Sequence, residues 1–175
     1  MKTLKAGLAS ALLIAGLGLA PAAPAAAAPY CGITWGSLAD SASASSTARV
    51  TNARAGQHTC YDRLVLDLKG KVRGYDVRYV SAVYTEGQGK HVPLSGAADL
   101  RIIVRTGNST YNPSNRTHAV GVSGYRTFRQ VAYLGSFEGQ TSFGLGVRAR
   151  LPFRTFVLDG PGTGSRLVID VAHRW

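Results

Sequence analysis

The chain has 175 residues, and 20 Lys and Arg against nine Asp and Glu give it a formal charge of +11. That length suits one domain of ordinary size, and 45% hydrophobic against 17% charged residues excludes a disordered chain and a coiled coil. Beyond residue 28 no stretch approaches the roughly 20 apolar residues that span a bilayer, which argues against stable membrane insertion.

Residues 1–27 read as a secretory signal peptide. Lys2 and Lys5 supply a short positive region, and Ala6 to Ala20 an apolar region too short for a span. Ala25-Ala26-Ala27 before Ala28 is the better cleavage site, because a cut just before Pro29 is disfavoured. Cys31 follows Pro29 and Tyr30, not the small residue a lipid-anchored cysteine needs. The expectation is a secreted, extracellular protein that associates with the cell wall. The exported part keeps 148 residues, with 15 Arg and three Lys against the same nine acids. Cys31 and Cys60 are its only cysteines, and in an oxidising compartment a disulfide is their default state. Closing that loop stabilises by about 3.5 kcal/mol in the chain-entropy picture. The bridge ties an N-terminal arm, residues 28–46, to the first strands. Within and just beyond it, the Ser/Ala-rich stretch 37–47 reads as a surface loop.

Residues 47–175 read as one β domain. No 11-residue window there has a period of 3.6, whereas alternation with period 2 recurs. Strands are expected at 48–54, at 63–68 with Leu64, Leu66 and Leu68 on one face, and at 72–84. Leu100, Ile102 and Val104 mark another, followed by 118–123 and 126–134. The cleanest run places Phe143, Leu145, Val147, Ala149, Leu151 and Phe153 on one face, and Leu167, Ile169 and Val171 mark the last strand. Gly-rich turn signals, including Lys69-Gly70, Glu86-Gly87, Glu138-Gly139 and Gly160-Pro161-Gly162, separate these runs. The longest polar loop is 107–117. About 8–10 short strands with one apolar face make an all-β protein, an antiparallel β-sandwich or a partly open barrel. The sequence Arg-Leu-Val-aliphatic-Asp-aliphatic occurs twice, at Arg63–Leu68 and Arg166–Val171, so each copy offers an Arg and an Asp on one strand face.

Catalytic patterns are missing. His58, His91, His118 and His173 are isolated, and no Cys/His cluster or Asp-rich loop suggests a metal, so neither a metal nor another cofactor is expected. No nucleophile elbow and no phosphate loop occur. Gly144-Leu145-Gly146 is a faint echo of a dinucleotide loop, but it lies inside an alternating strand. Glu86 and Glu138 have the residue type of a glycosidase pair. Each falls in a Gly-flanked turn, where solvated carboxylates are the ordinary outcome. The reading is therefore a non-enzyme, with a wall-modifying hydrolase using Glu86 or Glu138 as the lesser alternative.

The informative feature is arginine. Arg148, Arg150 and Arg154 fall on the outward side of the cleanest strand, and Arg101 and Arg105 share a face on another. Tyr125, Arg126 and Arg129 interleave aromatic and basic groups. Arginine captures carboxylates and phosphates with paired hydrogen bonds, although a solvated basic face would also keep a secreted protein soluble.

Taken in order, Tyr61–Leu68, Gly74-Tyr75 with Val77 and Tyr79, Phe137–Val147, Leu151–Arg154 and Ser165–Val171 resemble the AMIN-like domain of secreted actinobacterial proteins. The resemblance runs from about Thr47 to Trp175. It implies a β-sandwich distantly related to AMIN domains, which accompany cell-wall amidases and secretins and are held to bind peptidoglycan. The implied function is a non-catalytic envelope module. Together with the arginine pattern, this makes the expected partner a cell-wall polymer, peptidoglycan or teichoic acid, met by the arginine faces. The alternative partner is an envelope protein, for which the chain would serve as inhibitor or accessory subunit. Nucleic acid is not expected as a physiological partner.

Overall fold

The structure, a computed structural model, describes residues 28–175; residues 1–27, where a signal peptide is expected, lie outside the described residues. After a short 3-10 turn at Tyr30–Gly32, the strands are β1 (Asp40–Ser43), β2 (Arg49–Gln57), β3 (Tyr61–Lys69), β4 (Gly74–Val80), β5 (Val83–Tyr84) and β6 (His91–Val92). They continue as β7 (Ala98–Arg105), β8 (Phe128–Phe137), β9 (Gln140–Val147), β10 (Phe153–Asp159) and β11 (Ser165–Ala172). One sheet has the order β1-β4-β7-β9-β8 and the other β10-β11-β3-β2, with β5 and β6 as a separate ribbon. Every pairing is antiparallel. The two sheets do not close on each other, which makes the fold a sandwich and not a barrel.

The period-2 alternation explains how they pack. Leu64 and Leu66 of β3 and Leu167 and Ile169 of β11 point inward from the four-stranded sheet. Leu100 and Ile102 of β7 and Phe143 and Leu145 of β9 meet them from the five-stranded sheet, all without solvent exposure. Burial of each such side chain is worth about 1.5–3 kcal/mol.

Three expectations change. The alternating run 143–154 is not one strand: β9 ends at Val147 and β10 begins at Phe153 in the other sheet. The pattern survives the crossing because Leu151 and Phe153 re-enter the same core. The Ser/Ala-rich stretch 37–47 contains an edge strand, β1, paired with β4. Gly74 permits this, because a Cβ there would lie 1.6 Å from the Ala44 carbonyl oxygen. Residues 118–123 form only an isolated bridge, Val120 to Val131, with Val122 buried and glycines at 121 and 124.

Gly144 and Gly146 have a packing role. On the outer face of β9 they make room for the 81–97 segment, where Leu94 lies 3.0 Å from a Cβ at 144 and the Ser95 carbonyl oxygen 2.1 Å from one at 146. Val83, Ala132 and Leu134 form a small second core under that segment. The repeated sequence also has a structural meaning. Its two copies are neighbouring strands in antiparallel register, so Arg63 faces Asp170 and Arg166 faces Asp67.

Candidate functional site: a basic pole around the disulfide

Four chain segments meet at one end of the sandwich: the β2–β3 turn, the start of β8, the end of β9 and the C-terminus. The register sets this, since Tyr61 pairs with Ala172 and Phe128 with Val147. Cys31 and Cys60 form the expected disulfide here and fasten the N-terminal arm to the β2–β3 turn.

Asp62 organises the interior of this pole. Its side chain is fully buried, and its Oδ2 accepts hydrogen bonds from the backbone N–H groups of Thr127 at 2.6 Å and Phe128 at 3.0 Å. A carboxylate of β3 in one sheet thereby fixes the start of β8 in the other. The Thr127 hydroxyl lies 3.1 Å from the Ala172 carbonyl oxygen and 3.0 Å from Nδ1 of the buried His173. His173 Nε2 donates to the His58 carbonyl at 2.9 Å, which places a proton on that nitrogen because a carbonyl only accepts. The His173 backbone N–H bonds the Cys60 carbonyl, also at 2.9 Å. Every segment of the pole is thus cross-linked by a polar contact to another.

Arginines surround this buried network, and they bond main-chain oxygens instead of carboxylates. Arg126 Nη1 donates to the Thr59 carbonyl at 3.4 Å. Arg129 occupies a β-bulge between Phe128 and Gln130, which turns its side chain back over the loop. From there its Nη1 reaches the Tyr125 and Phe128 carbonyls, both at 2.9 Å. Arg148 Nη2 donates to the His173 carbonyl, and the Arg174 guanidinium stacks on Tyr30 at 4.6 Å. A carbonyl satisfies a donor without cancelling the charge, and each guanidinium has five N–H groups to offer. Tyr125 contributes packing instead, its ring stacked on that of Phe128.

Of the residues singled out in the sequence, Tyr125, Arg126, Arg129 and Arg148 therefore converge. The other four lie elsewhere. Arg154 belongs to β10, where it bonds the buried Asp170 at 2.8–2.9 Å and stacks on Trp35 at 4.3 Å. Arg150 lies in the crossing segment, bonded to the Ser37 carbonyl at 3.0 Å and stacked on Tyr79 at 5.0 Å. Arg148, Arg150 and Arg154 thus do not share a strand face, because the strand that would present them is broken by the crossing. Arg101 is on the outer face of β7, 3.7 Å from Asp76, which also pairs with Arg78. Arg105 lines a shallow cleft with Arg49 and Glu138.

On the outer face of the four-stranded sheet, Arg54, Arg63 and Arg154 bond carboxylates of the sheet itself. Arg63 forms a two-pronged pair with Asp170 at 2.6 and 2.8 Å, and Arg54 does the same with Asp67 at 3.0 and 3.1 Å. Those carboxylate hydrogen bonds hold both guanidinium groups above their ordinary pKa. Glu86 and Glu138 line different clefts; Glu86 accepts a hydrogen bond from the Ser142 hydroxyl, and Glu138 forms the β8–β9 turn in the left-handed region with Gly139. Among the described residues no group of three His, Cys, Asp or Glu is placed to hold a metal.

Arg174, Tyr30, Asp62, Thr127 and His173 were not anticipated. Only Asp62 had a trace in the sequence, as a polar residue in phase with Leu64 and Leu66.

The family model of the AMIN-like domain matches residues 48–173. No curated protein and no solved structure matches the chain.

Proposed function

The chain belongs to the AMIN-like domain family, and from that membership we propose that it is a secreted, non-catalytic cell-envelope module whose basic pole binds an anionic wall polymer. The observation that carries this is the bonding of Arg126, Arg129 and Arg148 to carbonyls, with Arg174 stacked on a tyrosine. The buried Asp62 is the acid that ties the pole together, and it forms no salt bridge with an arginine among the described residues. Stem-peptide carboxylates or teichoic phosphates fit such donors, because guanidinium pairs with both in two-pronged geometry. The disulfide supports an oxidising, extracellular location.

A polymer held this way binds by charge and loses affinity steeply with salt. The exported protein should pellet with purified cell walls at low salt and leave them at high salt, and removal of teichoic acid identifies which anion is met. The combined variant Arg126→Ala, Arg129→Ala, Arg174→Ala should pellet much less than the parent at low salt. Full pelleting of that variant overturns the assignment, and failure of the parent protein to pellet at any salt turns the search to an envelope protein partner.

A further inference from the structure

At the opposite end of β8 lies a cleft of about 870 Å³ between the 107–117 loop and the turn at Thr85–Gln88. Both walls are fixed to the sheets. On one side the Ser109 N–H bonds the Ser136 hydroxyl at 3.1 Å, the Thr110 N–H bonds the Val50 carbonyl at 3.0 Å, and the Tyr111 hydroxyl bonds the Ala119 carbonyl at 2.8 Å. On the other, the Glu86 N–H bonds the Leu134 carbonyl at 2.9 Å, and Thr85 and Lys90 close the turn with bonds of 2.8 and 3.0 Å. A site built on such walls is ordered before any ligand arrives, which lowers the cost of binding.

Three groups on this floor point to one ligand chemistry. Phe137 is 49% exposed, with Gly87 against its ring, where a Cβ would lie 3.5 Å away. The Arg116 guanidinium carbon lies 4.8 Å from the centroid of the Tyr133 ring, and Arg116 pairs with no carboxylate among the described residues. Gly135, at φ +122° beside a β-bulge, clears the space that Arg116 and Glu86 occupy: a Cβ there would lie 3.1 Å from Arg116 Nη2 and 3.5 Å from the Glu86 Cβ. Asn108, Asn112 and Gln88 line the cleft with amides that both donate and accept.

We propose that this cleft binds a pyranose saccharide carrying a carboxylate. The C–H face of the ring covers Phe137, its hydroxyl groups exchange hydrogen bonds with the amides and Glu86, and its carboxylate meets the edge of the Arg116 guanidinium. One cation beside one carboxylate side chain makes the cleft nearly neutral. It therefore suits a single carboxylate on a ring, and a polyanion is better served by the pole. The two sites use different elements and chemistry, so either binds without the other.

The test is an amide chemical-shift titration of the exported protein with glucuronic acid and N-acetylmuramic acid, against glucose and N-acetylglucosamine. The acidic sugars should shift Gly87, Arg116, Gly135 and Phe137, and should bind at least about tenfold more tightly than their neutral counterparts, the range for a charged hydrogen bond. Arg116→Gln should erase that preference, and Phe137→Ala should weaken acidic and neutral sugars together. Both variants should keep the parent amide spectrum outside the cleft and still pellet with walls. The pole variant should keep its sugar shifts. The proposal is overturned by the absence of shifts up to the solubility limit of the acidic sugars, by equal affinity for acidic and neutral sugars, or by an unchanged preference in Arg116→Gln.

Discussion

The outer face of the four-stranded sheet and the disulfide pole are built from the same residue type, put to opposite uses. On the sheet, Arg63 and Arg154 converge on the fully buried Asp170, and the guanidinium groups are sandwiched between Tyr61, Phe156 and Trp35 at 4.3–5.7 Å. The shared carboxylate offsets part of that charge and the guanidinium groups are stacked on rings, so these arginines belong to the fold. At the pole, Arg126, Arg129 and Arg148 bond carbonyls, so charge remains to act outward. The number of arginines therefore says little about a binding surface. What decides is whether a carboxylate reaches the guanidinium: Arg54 bonds Asp67 at 3.0 Å, whereas Arg166, which faces Asp67 in register, bonds the Asp159 carbonyl at 2.9 Å.

The sharpest way to break this contrast is to remove the acid that the sheet depends on. Asp170→Ala leaves Arg63 and Arg154 without their common partner on a face where Asp170 has no exposure. Truncating one member of a buried ionic group costs about 3–5 kcal/mol, which for a domain of this size lowers Tm by roughly 6–20 °C. Thermal unfolding read by circular dichroism checks it. A change below about 1 kcal/mol would mean that the ladder is ornamental. Wall binding per folded molecule should be unaffected, since none of these groups is at the pole.

The pole is held covalently, so the corresponding loss comes from its disulfide. Replacing Cys31 and Cys60 together by serine should cost about 3.5 kcal/mol, measured as a lower denaturant midpoint that reductant no longer shifts. The same reductant added to the parent protein should reproduce the loss. Free arm residues then carry Tyr30 away from Arg174, and salt-sensitive wall binding should weaken with it.

The third comparison reads function against stability at the pole. Arg126→Ala with Arg129→Ala and Arg174→Ala removes three exposed cations whose protein partners are a ring and main-chain oxygens. Surface substitutions of this kind stay within about 0.5 kcal/mol each. Three fewer cations should nevertheless flatten the salt dependence of binding by about three units of log–log slope if the polymer behaves as a dense polyanion. Equal slopes for parent and variant would assign the charge to some other face.

Much of this division was beyond the reach of the sequence, for reasons that individual residues make clear. The alternation of Leu64, Leu66 and Leu68 against Leu167, Ile169 and Val171 is a local property, and it predicts the sandwich correctly. The repeated Arg and Asp spacing was visible too, but its meaning depends on the antiparallel register that sets Arg63 opposite Asp170 across 107 residues. Arg148, Arg150 and Arg154 looked like one face because the core pattern continues through a point where the chain leaves one sheet for the other. Arg129 acquires its direction from a bulge, which shifts the register by one residue with no compositional signature. Of the pole, the sequence carried the residue types and the disulfide; the meeting of Arg174 with Tyr30 and of Asp62 with Thr127 is purely tertiary.

The smallest predicted effect isolates what an arginine partner does for a half-buried acid. Asp99 of β7, unlike Asp170, has no salt-bridge partner among the described residues, and it lines a cleft with Tyr79 and Arg150. Burial raises its carboxyl pKa above the ordinary value, with the His91 charge opposing the shift. The folded protein therefore holds that proton more tightly than the unfolded chain. Its ionisation works against folding, and stability falls as pH rises from the ordinary carboxylate pKa through the raised one. Asp99→Asn removes the effect. At neutral pH it should gain less than about 0.5 kcal/mol, whereas below the ordinary carboxylate range, with both states protonated, it should match the parent. Paired unfolding curves at acidic and neutral pH check the sign. A variant that loses stability only at neutral pH would show that Asp99, like Asp170, has a cation holding it in place.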